Sequence, residues 1–191
     1  MATEVDEALY DALEAGDPDA VRRALAAGAD PDGEHYNESP LTFLCRHAAR
    51  GDTFVATEGA NPGDPVACLA ALLEYAASPN IAAGADVNAR DSEGKTPLTA
   101  SIDENEMAGA DISCVYSALL RAGATLPPYV PDDEGDEEDP YLHKVRRAGG
   151  FRQYEAQVTK SLAAIFEPKF PKLPAEVIPT IVAFWAHVGD Y

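Results

Sequence analysis

Basic residues are scarce in this chain. Fourteen Lys and Arg stand against 33 Asp and Glu, for a net charge of −19. A field of that sign repels nucleic-acid phosphates and anionic lipid headgroups. Nucleic acid and membrane surfaces are thereby excluded as partners, except through a local basic patch, and a basic protein surface is drawn in. Cysteine is scarcer still. Cys45, Cys68 and Cys114 are odd in number, far apart, and form no Cys-x-x-Cys pair, so a compact zinc site is unsupported. They sit among apolar residues of expected helices, where buried free thiols are common. This predicts a reducing, intracellular compartment, the cytoplasm first, with an organelle left open. No long hydrophobic run exists either. The stretch from Val177 to Ala186 is broken by Pro179 and too short to span a bilayer. Met1-Ala2-Thr3-Glu4 is acidic and lacks the apolar core of a secretory leader.

Catalytic motifs are also missing. There is no Gly-rich phosphate loop, His-Glu-x-x-His or Gly-x-Ser-x-Gly. His35, His47, His143 and His187 are scattered, and Cys45 and His47 lie two apart, on different faces of a helix. No catalytic, metal or cofactor-binding residue emerges, and the expectation is a protein that is not an enzyme.

What is present is helical material. Apolar residues make up 46% of the chain, and Ala and Leu dominate them. Ala favours helix because it loses no side-chain entropy there. Leu9, Leu13, Val21 and Leu25 carry the apolar face of a first helix pair, broken at Gly16-Asp17-Pro18. Val66, Leu69, Leu72 and Leu73 form a second stripe, and Val115, Leu119 and Leu120 a third. The expected fold class is all-α.

Two phrases return in the same order. Gly28-Ala29-Asp30-Pro31-Asp32 recurs as Gly84-Ala85-Asp86-Val87-Asn88, and weakly as Gly123-Ala124-Thr125. Ser39-Pro40-Leu41-Thr42 recurs as Thr96-Pro97-Leu98-Thr99. Each piece has a physical role. Thr96 can cap a helix by accepting a backbone N–H bond. Pro97 suits the first helical position, where a missing N–H costs nothing. Gly28 and Gly84 can take the left-handed conformation that closes a helix. Asp91-Ser92-Glu93-Gly94 has the composition of a tight turn.

With these residues in place, the chain resembles the ankyrin repeat family. Gly84-Ala85-Asp86-Val87-Asn88-Ala89, then Asp91-Ser92-Glu93-Gly94-Lys95-Thr96-Pro97-Leu98-Thr99-Ala100, is similar to its consensus junction. The resemblance runs from about Val5 to Pro127 as roughly three repeats of the ~33-residue type. Thr42 and Thr99 stand where the family has His. Residues Thr53 to Pro65 read as a long loop inside the second repeat, Ser78-Pro79-Asn80 adds length before its glycine stop, and the third is stretched around Asn105 to Asp111. The resemblance implies a helix-turn-helix solenoid that presents finger loops and the inner helix face to a protein partner, as adaptor or as a subunit of a larger complex. Carried over by position, the finger candidates are Asp32, Glu34, His35, Tyr36, Asn37, Asn88, Arg90, Asp91 and Glu93. Tyr36 leads them, because an aromatic in a polar finger makes an anchor. Phe43, Arg46, His47, Ile102 and Asp103 are inner-face candidates. Asn88 and Asp91 also have local readings, in loop and turn.

Residues 1–127 are thus expected as the repeat domain, 128–140 as an acidic linker and 141–191 as a helical tail. Asp132 to Asp139 carries acids at every position but Gly135, and such a run self-repels and extends. A short basic patch follows, Lys144, Arg146, Arg147 and Arg152. Phe151, Tyr154, Val158, Leu162, Ile165 and Phe166 recur at helical spacing, and Pro168 closes that helix. A last helix is expected to open at Leu173-Pro174-Ala175-Glu176 or near Pro179, with Val177, Ile178, Ile181, Val182 and Trp185 as its stripe. Two readings of the tail stay open. It caps the last repeat, or it docks a second protein. Leu173-Pro174-Ala175-Glu176-Val177-Ile178 followed by Ile181-Val182 resembles the start of an F-box or F-box-like tail, which would make the chain a substrate adaptor for a ubiquitin-ligase scaffold.

Overall fold

The computed structural model describes residues 3–35, 37–50, 64–75, 85–108, 112–129, 139–170, 177–178 and 180–182. All regular structure among them is helical; an isolated bridge between His35 and Glu38 is the nearest thing to a strand. Eight helices are named in chain order: α1 Glu4–Ala15, α2 Pro18–Ala26, α3 Pro40–Arg50, α4 Pro65–Tyr75, α5 Pro97–Ala108, α6 Ser113–Ala122, α7 Pro140–Arg147 and α8 Phe151–Phe166. A 3-10 turn, Glu167–Lys169, follows α8.

One local rule starts five of these helices. Asp17, Ser39, Asp64, Thr96 and Asp139 each precede a proline at the first helical position. The side chain caps and the proline supplies a preset φ without wasting a donor. Asp17 Oδ1 accepts from the N–H groups of Asp19 and Ala20, both at 2.9 Å. Asp64 Oδ1 accepts from Ala67 N at 2.9 Å, and Asp139 Oδ1 from Tyr141 N and Leu142 N at 2.8 and 3.1 Å. At α3 and α5 the cap is a pair of hydroxyls. Thr96 Oγ1 accepts from Thr99 N at 3.3 Å while Thr99 Oγ1 accepts from Thr96 N at 2.7 Å. Ser39 and Thr42 share the first of these bonds, at 3.2 Å. Thr99 thus completes a reciprocal box at α5, while at α3 the Thr42 hydroxyl lies 3.1 Å from that of Ser39. Thr3 and Asp6 make the corresponding reciprocal box at α1.

The chain divides into two compact units, Met1–Pro127 and Pro128–Tyr191. In the first, α1 packs on α2, α3 on α4 and α5 on α6. The pairs stack, since α3 lies between α1 and α5, and α4 between α2 and α6. The result is two rows of three helices. Between the rows run Leu9, Leu13, Val21, Leu25, Leu41, Leu44, Leu69, Leu72, Leu98 and Leu119, all buried. Each such side chain contributes roughly 1.5–3 kcal/mol of transfer free energy. A left-handed glycine ends α2 as expected, with φ of 101° at Gly28, and glycines also end α1 and α6, with φ of 64° at Gly16 and 103° at Gly123. Gly84 and residues 53–63 of the inserted loop lie outside the described residues, whereas Pro65, expected at the end of that loop, opens α4 because Asp64 caps it.

In the second unit, α7 packs on α8 with Leu142 and Val145 buried. Asp139, the last acid of the Asp132 to Asp139 run, is the cap of α7. The remaining acids of that run lie outside the described residues. No described helix is long and apolar enough to cross a membrane.

Candidate protein interface

The loops that leave α2, α4 and α6 are locked in place by one repeated bond. Asp30, Asp86 and Thr125 each follow a Gly-Ala pair. Each donates its backbone N–H to a side chain from the stack's preceding level. Asp30 N meets Asp6 Oδ1 at 3.0 Å, Asp86 N meets Asp32 Oδ1 at 2.7 Å, and Thr125 N meets Asn88 Oδ1 at 2.8 Å. Asn88 also gives an amide proton to Gly123 O at 3.2 Å. Within each finger the aspartate folds the chain back on itself. Asp30 Oδ1 accepts from Asp32 N at 3.0 Å, and Asp86 Oδ1 from Asn88 N at 2.9 Å. Charge acts differently along this ladder. Hydrogen bonds from Asp30 and Thr3 lower the Asp6 pKa. Desolvation, then the charges of Asp30 and Asp86, raise that of Asp32, against the bond from Asp86 N.

The first finger hangs on Tyr10 of α1. Its hydroxyl lies 2.6 Å from Glu38 O and 3.0 Å from Gly33 O, and accepts from His35 N at 3.2 Å. Burial pushes the phenol well above its ordinary range. The Tyr10 ring stands 4.9 Å from the His35 ring and meets Phe43 edge-on at 5.1 Å. Phe43 in turn lies 4.1 Å from His47, whose Nδ1–H donates to Phe43 O at 3.1 Å. An aromatic and imidazole cluster thus joins α1, the first finger and α3, with His35, Phe43 and His47 half-exposed.

A charged web ties the fingers to α3 and α5. The Arg46 guanidinium is 2.6 Å from Glu38, 3.3 Å from Asp91 and 3.7 Å from Glu104. Arg50 grips Glu104 with two bonds of 2.9 Å, and this holds the Glu104 pKa below its ordinary value. The Arg46 side chain is only 14% exposed and that of Asp91 only 1%. Asp91 also folds its own turn, accepting from Glu93 N and Lys95 N at 2.9 and 2.8 Å.

The residues named from sequence are therefore split. Arg46, Asp91 and Asn88 spend their polar atoms inside the stack. Arg90 is exposed but bonds Gly94 O across its own turn at 2.7 Å. Glu93 is exposed and paired with Lys95 at 3.1 Å. Asn37 stands at the tip of the first finger with φ of 66°, a left-handed position that asparagine tolerates, and its carbonyl accepts from Ser92 N of the next finger at 3.4 Å. His35 packs on Tyr10. Tyr36 and Trp185 lie outside the described residues.

Two features went unread. Tyr10 is not among the residues read from sequence, and nothing in its neighbours marks it as the finger's anchor. The second was legible. Glu4, Glu7, Asp11 and Glu14 recur at spacings of three and four, and all four are exposed on α1. None is ion-paired among the described residues, and α1 contains no Lys or Arg. The arrangement offers acids on α1 and tips at Glu34, Asn37, Ser92 and Glu93, beside a half-exposed ring cluster. It suits recognition of a surface. Among the described residues no three His, Cys, Asp or Glu groups converge as a metal site would need. No protein-family model matches the chain, and no curated protein matches it.

Proposed function

We propose that the first unit is an ankyrin-type solenoid that works as a protein-binding module, an adaptor or assembly subunit and not an enzyme. The observation that carries this is the same side-chain-to-backbone bond at three successive levels, to Asp30, Asp86 and Thr125. A stack whose loops are fixed by its own neighbours presents preorganised tips, which cuts the ordering cost of binding. The partner is a protein with a basic surface. Arg46 and Arg50 are engaged by internal carboxylates, while the α1 acids have no such partner, so the face is left net negative. Nucleic acid and anionic membranes are not partners on the same grounds. The scarce, unpaired cysteines favour work inside the cell, in the cytoplasm or in an organelle.

Affinity capture from the source cell at near-physiological salt tests this. Glu7→Lys with Asp11→Lys, and separately Tyr36→Ala with Glu93→Lys, should each deplete the same basic partner. Unchanged capture of every partner by both variants would count against the module.

A second reading has one observation in its favour. Val177 and Ile181 are exposed while Ile178 and Val182 are buried. An F-box-like tail that recruits a ubiquitin-ligase scaffold needs such an outward apolar edge. Ile181→Asp should then abolish capture of that scaffold and spare the basic partner.

A further inference from the structure

We draw no further inference here: the strongest candidate, the apolar stripe of α8 through the half-exposed Val158 and Leu162 to the exposed Ile165, on a helix with no buried residue, carries nothing because nothing among the described residues shows what covers it.

Discussion

Removing the Arg46 guanidinium separates two accounts of that residue. As a partner contact, Arg46→Met should cost binding and leave the fold alone. As the tie described above, it should cost the fold directly. Its bonds to Glu38 at 2.6 Å and Asp91 at 3.3 Å join the first finger, α3 and the second finger. Hydrogen bonds to charged groups contribute about 1.5–3 kcal/mol each. Glu104 loses little, because Arg50 still holds it. Asp91 loses most, because a carboxylate 1% exposed is left without a cation, although two backbone N–H groups still serve it. Breaking a fully buried pair costs about 3–5 kcal/mol, and Arg46 is slightly exposed, so about 3 kcal/mol is expected. With a urea m-value of about 1–3 kcal/mol/M, the midpoint falls by roughly 1–3 M. Equilibrium unfolding followed by far-ultraviolet circular dichroism reads this out. Adding Asp91→Asn to Arg46→Met should return part of the loss, since the unpaired charge is then gone. A single variant within about 0.5 kcal/mol of wild type, or a double variant with no recovery, would refute the reasoning.

Four further outcomes follow from the same contacts. Asn88→Ala removes two bonds at the last junction and should cost about 1–2 kcal/mol in the same unfolding assay. Tyr10→Phe keeps the ring contacts but strips the hydroxyl from Gly33 O and Glu38 O; a loss of about 1–2 kcal/mol is expected, with the Tm falling by several degrees. Asp32→Asn should stabilise the protein at pH 7, because burial and neighbouring aspartates raise the Asp32 pKa and the folded state therefore disfavours its charge. That advantage should shrink as pH falls through the carboxylate range and Asp32 gains its proton. The opposite sign holds for Asp6 and Glu104, whose lowered pKa values give stability that is present above their unfolded values and lost in acid, so wild-type unfolding midpoints should fall there.

Helix starts and stops were the most legible part of this chain, because they are set by neighbours in sequence. Thr96-Pro97 marks α5 and Gly28 closes α2 by chemistry within a few residues. The same signal stands in Asp17-Pro18, Asp64-Pro65 and Asp139-Pro140. Aspartate there reads as surface charge or linker until the N–H groups it caps are seen. The buried stripes of α1, α2 and α6 are legible from spacing alone, while in α4 only Leu69 and Leu72 of the expected stripe are buried and Val66 and Leu73 are half-exposed. The destinations of polar side chains were not. Arg46 and Asp91 are 45 residues apart, and Asp32 and Asp86 are 54 apart. No local pattern says that such residues meet, so finger and inner-face positions were read as outward when several turn in. The equivalence of Asp32 and Asn88 was visible in the repeated Gly-Ala-Asp phrase; the backbone group each would hold was not.

Amide hydrogen exchange at Asp30, Asp86 and Thr125 tests the stacked architecture most directly. These N–H groups sit in exposed loop segments where unbonded amides exchange at nearly free-chain rates. If each level fixes the loop of the next, all three should be protected by similar factors, and Asn88→Ala should release Thr125 alone. Free-chain exchange at all three in the intact protein would contradict the stack, and with it the preorganised fingers on which the binding role depends.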